Sequence, residues 1–222
     1  MKAIISLFLL LVIAYSAFAQ DHSENVAGPF ENVMQVTEEC LMCHDDAGTE
    51  VIQSNHWNWL TSNLAAETQS KTKDVDHVPI NNFCIAASDS STQCTTCHLP
   101  FSGKDESFEF NALENIDCLV CHDQTGTYKR SPFGTGLPEN EMDLLTIAQS
   151  VGKPTINNCA TCHFGGSGGV LMRSVAMDKS LLNPTEEIDY HLGGLGLGCG
   201  DCHETKSHSI SGESKAACVN CH

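Results

Sequence analysis

The chain has 222 residues, 13 of them Cys, and sets 11 Lys and Arg against 28 Asp and Glu for a formal net charge of −17. That acidity excludes nucleic-acid binding, because neutralising phosphates needs a basic surface. The 41% hydrophobic fraction counts the cysteines and an apolar N-terminus, so Leu, Ile, Val and Phe are scarce for a conventional core and something else must fill the interior.

Residues 1–19 read as a secretory signal: a basic start at Lys2, an apolar stretch from Ala3 to Ala14, then Ala17-Phe18-Ala19 as a small-x-small cleavage site. The stretch is shorter than the roughly 18 residues a bilayer span needs, and no basic stop-transfer cluster follows. The mature chain is expected to begin at Gln20, to form one domain over residues 20–222 with no later membrane span, and to work in the periplasm or outside the cell.

Twelve of the cysteines then fall into six CxxCH motifs: Cys40, Cys43 and His44; Cys94, Cys97 and His98; Cys118, Cys121 and His122; Cys159, Cys162 and His163; Cys199, Cys202 and His203; Cys218, Cys221 and His222. This is the attachment pattern of haem c, in which two thiols add across the vinyl groups and the next imidazole binds iron. Zinc sites or disulfides could use CxxC pairs, but neither requires His directly after the second Cys. His has a chance of about 0.05 at a given position, so six out of six by accident is on the order of 10⁻⁸. Six covalent haems follow, with about 34 mature residues for each, below the roughly 40 at which chains usually need metals or cross-links to fold. Stacked haems are therefore expected to form the core.

The uneven motif starts exclude a tandem repeat. Between them, Thr49 to Leu64 reads as a helix with Val51, Ile52, His56, Trp59 and Leu60 on one side. A second helix is expected from Glu139 to Val151, stopping at Gly152 before Pro154. Gly165 to Gly169 and Gly193 to Gly200 permit close approach of backbone to a haem face or, equally, loose surface loops. The expected fold class is mainly α, with short helices and much irregular chain.

Five histidines lie outside the motifs, His22, His56, His77, His191 and His208, and six irons each have a second axial position. All five are candidate distal ligands, with His77 assigned to the haem on Cys94 and Cys97, 17 residues further on. Five cannot fill six, and oligomerisation leaves the count per subunit unchanged. At least one haem must use Met, Lys or an amine, or keep an open position for water or substrate. Met172 and Met177 are candidates for it, or packing residues.

The words around the motifs resemble the octahaem tetrathionate reductase family of multihaem cytochromes c. They are Asp21-His22-Ser23 with Gly28-Pro29-Phe30, Ser54-Asn55-His56-Trp57, Ile80-Asn81-Asn82-Phe83-Cys84-Ile85, Asp117 to Asp123 with Thr125-Gly126-Thr127-Tyr128-Lys129, Val151-Gly152-Lys153-Pro154-Thr155, Asn158-Cys159 to Phe164, and His208-Ser209-Ile210-Ser211-Gly212. Two departures bear on function. The family carries eight haems, whereas this chain has six motifs. The family's reactive haem takes a lysine as distal ligand within Gly-Asp-x-x-Lys-His-Gly, where this chain places Val170, Arg173 and Ser174 at the Asp, Lys and His positions. Arginine stays protonated and cannot donate a lone pair to iron. Of that site's Cys, Asp and Lys, Cys84 alone is retained, as a buried small residue or a reactive thiol.

Electron transfer through closely spaced, mostly bis-histidine haems is the leading reading, with other redox proteins as partners. Homo-oligomers, in particular an extracellular filament, are compatible with it. The alternative is a reductase of tetrathionate, nitrite or hydroxylamine at the haem without a fixed distal ligand. A sensor module is disfavoured, since no effector domain fits this length.

Overall fold

The computed structural model describes residues 22–58, 99, 101, 109, 111–131, 137–139, 141–164, 177–203, 208 and 222. Among them are α1 (Val33–Leu41), α2 (Asp45–Gln53), α3 (Asn55–Asn58), α4 (Cys118–His122), α5 (Leu144–Gln149), α6 (Ile156–His163) and α7 (Cys199–Cys202), with short 3-10 turns and no strand beyond an isolated Arg130–Pro138 bridge. The mainly helical, irregular fold expected from the sequence is what the described residues form.

Short helices need fixed ends, because the first turn leaves backbone N–H groups without partners. Helices α1, α4 and α5 each begin with such a cap. Asn32 Oδ1 accepts from Gln35 N at 3.1 Å to start α1, and Asp143 Oδ1 accepts from Thr146 N at 3.0 Å to start α5. Asp117 Oδ1 accepts from Val120 N at 3.1 Å to start α4. Side-chain acceptors of this kind contribute about 1 kcal/mol each.

Both helices expected from periodicity have different bounds among the described residues, and residues 59–64 of the first lie outside them. The expected Thr49–Leu64 helix begins earlier, at Asp45, and breaks at Ser54, whose backbone is extended; Ser54 Oγ accepts from Trp57 N at 3.4 Å as α3 starts. Trp57, rather than Trp59, is the described aromatic that this break buries, at 1% exposure; Trp59 lies outside the described residues. The expected Glu139–Val151 helix is confined to Leu144–Gln149, because Glu141 takes a left-handed backbone with φ of 70° just ahead of the Asp143 cap.

A small apolar cluster does exist. Val33 and Val36 of α1, Trp57, Phe101, Ile116, Leu119 and Val120 of α4, and Ile147 and Ala148 of α5 are all buried, with Cys40, Cys118 and Cys121 packed against them half-buried. Thr37 Oγ1 donates to Ile116 O at 2.7 Å and so clamps α1 to the segment that enters α4. On α2, Gly48 is pressed against the Leu113 turn: a Cβ there would lie 2.9 Å from Leu113 Cδ1. No described helix is long and apolar enough to cross a membrane.

Candidate functional site

One helical turn places residues i, i+3 and i+4 on the same face, which is where CxxCH puts its two thiols and its imidazole. The turn forms at each described motif: His44 N donates to Cys40 O and His203 N to Cys199 O, both at 2.9 Å, while α4 and α6 end on His122 and His163. Cys94, Cys97, His98, Cys218 and Cys221 lie outside the described residues, as do His77, Cys84, Met172, Arg173 and Ser174.

Four motif histidines each face a histidine from elsewhere in the chain. Ring centroids are 6.4 Å apart for His22 and His44, 6.3 Å for His56 and His163, 6.2 Å for His122 and His208, and 5.9 Å for His191 and His222. The rings are tilted or edge-to-face rather than stacked in parallel. Two imidazoles bound to one metal ion at about 2.0 Å each would hold their ring centres roughly 6 Å apart. Among the described residues no group of three or more His, Cys, Asp or Glu could hold a metal. Each pair by itself would offer a metal two imidazole ligands, fewer than the four a structural zinc site uses, which fits a group that brings its own ligands.

Each pair is positioned by identifiable contacts. Gln149 Nε2 donates to Ser23 O at 3.3 Å and Val26 O at 3.0 Å, tying the segment that carries His22 to α5. His122 Nδ1 lies 2.9 Å from Gly152 O; a carbonyl only accepts, so Nδ1 carries the proton and Nε2 keeps its lone pair. His208 Nδ1 lies 2.8 Å from Glu50 Oε2, which fixes the same tautomer. His208 also takes a left-handed backbone, φ 47°, strain that costs a non-glycine residue about 1 kcal/mol and here accompanies its placement opposite His122. His191 sits in a π-helical turn, Tyr190–Gly194, where Asp189 Oδ1 accepts from His191 N and Leu192 N at 2.9 Å each. His56 leaves Nδ1 buried with no hydrogen-bond partner. Burial holds both His56 and His122 below the usual histidine range, so both are neutral, with a free lone pair, at neutral pH.

The thiols that would become thioethers differ in their surroundings. Burial pushes Cys121 up to about 12; a hydrogen bond with Cys40, reinforced by burial, puts Cys118 well above the usual thiol value. A hydrogen bond from Cys159 lowers Cys199 to about 6. Behind α4, Asp117 is fully buried: its Oδ2 accepts from Tyr128 Oη at 2.9 Å and Arg130 Nε at 3.2 Å. Sequence reasoning passed over Glu50, Gly152, Tyr128 and Arg130 as supporting groups. Asp117 was passed over too, although an Asp directly before a helical motif is a cap signal that could have found it. Met177 is 44% exposed, with its N–H on His163 O at 2.8 Å, and His203 faces no described histidine at the pair separation.

Two family models match this chain: cytochrome c554 and c-prime over residues 31–123, and cytochrome c7 and related cytochrome c over residues 145–222. The chain is a multihaem c-type cytochrome. The crystal structure of octahaem cytochrome c from Shewanella oneidensis is similar to this cytochrome at 37% identity and a TM-score of 0.75, over 92% of this chain and 48% of that one. The cytochrome thus spans about half the length of that octahaem structure, and the likeness to the octahaem family expected from the sequence is borne out. An uncharacterized protein of Archaeoglobus fulgidus is 24% identical over 227 residues, 79% of this chain and 75% of that protein. Covalently bound haem c comes with the family, and the cysteine and histidine geometry above fits it.

Proposed function

We propose that this cytochrome is an exported six-haem electron carrier. Haem c, when bound, supplies a one-electron iron couple. The observation that carries the proposal is the set of four histidine pairs at metal-bridging separation. Paired imidazoles leave no axial position for substrate, and a centre that keeps both ligands in either oxidation state reorganises little. His22, His56, His208 and His191 then serve as distal ligands to the sites of His44, His163, His122 and His222. His98 and His203 remain, and His77 is the one unassigned histidine for the two of them. The redox partners are other proteins, met in the periplasm or outside the cell, and subunit-to-subunit contact in a filament is one form that exchange takes.

The second reading, a reductase, rests on that deficit of one histidine. Arg173 at the lysine position supports the carrier. Intact mass and pyridine haemochrome of protein from an exporting host should give residues 20–222 plus six haems. Ferric spectra should be dominated by low-spin centres. A majority of high-spin centres, or hydroxylamine turnover at one of them, would move the function to catalysis.

A further inference from the structure

Two of the histidine pairs differ in what the outer ring nitrogens meet. In the pair of His122 and His208, a backbone carbonyl and a carboxylate stand behind the two rings: Gly152 O lies 2.9 Å from His122 Nδ1, and Glu50 Oε2 lies 2.8 Å from His208 Nδ1. In the pair of His56 and His163, His56 Nδ1 is shut off from solvent and has no hydrogen-bond partner. The start of α3 explains why. Ser54, two residues earlier, donates its hydroxyl to Val51 O at 2.6 Å and accepts from Trp57 N at 3.4 Å, and Trp57 itself joins the apolar cluster. With Nδ1 enclosed by protein, Nε2 is the nitrogen of His56 left to reach a metal ion between it and His163.

We propose that the pair of His56 and His163 builds a higher-potential redox site than the pair of His122 and His208. An acceptor on the outer N–H of a ligating imidazole pushes electron density toward the metal and favours the oxidised state, which carries one more positive charge. His122 and His208 each have such an acceptor, and Glu50 adds a negative charge. The side chains of His208 and Glu50 are 37% and 32% exposed, so water stabilises the oxidised state there as well. His56 Nδ1 has neither acceptor nor water, which makes its ring a poorer donor and leaves added positive charge unsolvated. Behind α4, Asp117 and Arg130 bring one charge of each sign and largely cancel at His122. A single electron therefore settles between His56 and His163: one ferric iron becomes ferrous, and no bond forms or breaks. The inference rests on the paired-histidine reading above and goes beyond it by ranking two sites.

In haem-loaded protein, a potentiometric titration with dithionite, followed by electron paramagnetic resonance of the ferric low-spin signals, reads each midpoint. The signal lost in His56→Ala should disappear on reduction at a higher potential than the signal lost in His208→Ala. Glu50→Gln should raise the second midpoint and leave the first in place, narrowing the gap. Where an alanine variant does not fold, His56→Met and His208→Met keep an axial donor and mark the same two signals. The premise has its own readout: in fully reduced, diamagnetic protein with isotope-labelled histidine, the Nδ1–H of His56 should resonate upfield of those of His122 and His208, which have acceptors. Equal midpoints or the reverse order overturn the proposal, and so does a His56 Nδ1–H as far downfield as that of His122. If neither His56 nor His208 variants alter a low-spin signal, the histidine pairing behind the functional reading fails instead.

Discussion

Asp117 tests how far the polypeptide, rather than the haem, holds an attachment site. Its carboxylate accepts from the α4 backbone, from Tyr128 and from Arg130, and both partners of the ion pair have side chains at 1% exposure or less. Burial raises this carboxyl above its usual range while Arg130, Tyr128 and the helix N–H groups oppose the rise, and three donors on two oxygens are the pattern of an ionised acceptor. Asp117→Ala removes the carboxylate that faces the buried Arg130 guanidinium, a loss of about 3–5 kcal/mol when one partner of such a pair is removed. It also removes a helix cap at about 1 kcal/mol. These contributions share one network and do not add fully, so the expected loss is about 4 kcal/mol, a large fraction of a domain's typical stability of about 5–15 kcal/mol. Urea unfolding of the haem-loaded protein, followed by far-ultraviolet circular dichroism, reads it. The double variant Asp117→Leu with Arg130→Met should recover most of the loss, since an apolar replacement leaves no charge buried alone. A single-variant loss below about 1 kcal/mol, or a double variant no better than Asp117→Ala, would show that the pair does not anchor α4.

Other contacts give sharper spectroscopic outcomes. Glu50→Gln replaces the carboxylate on His208 Nδ1 with a neutral acceptor, making the imidazole a poorer donor, so the potential of one site should rise; a redox titration with every midpoint unchanged refutes the role of Glu50. Gly193→Ala would set a Cβ 2.3 Å from the Thr185 carbonyl carbon and oxygen, forcing open the turn that holds His191. It should cost about 1–3 kcal/mol and convert one site to high spin, whereas an unaltered low-spin spectrum counts against His191 as a ligand. His77→Ala should create one new five-coordinate centre, because His77 is the histidine left for the sites of His98 and His203; an unchanged ferric spectrum removes it from the ligand set.

The sequence by itself determined the chemistry of attachment, because CxxCH is a local code: one helical turn brings Cys40, Cys43 and His44 to a common face whatever surrounds them. It likewise determined that iron here would need histidines from outside the motifs. Which histidine meets which motif was decided only in the tertiary structure, since the partners come from distant stretches of the chain. His208 reaches His122 through Glu50, a residue 158 positions away in the chain, and no periodicity records such a contact. The helix ends were misread for a related reason. The apolar pattern of residues 49–64 continues past Ser54, but burial of Trp57 turns the chain there, and packing overrides propensity. The small core around Leu119 and Phe101 was also hidden, because composition counts apolar residues without saying that a few of them meet on one side of the Cys118–His122 turn. Haem attachment is read from spacing, whereas the meeting of histidines from distant stretches of the chain follows from long-range packing that spacing does not encode.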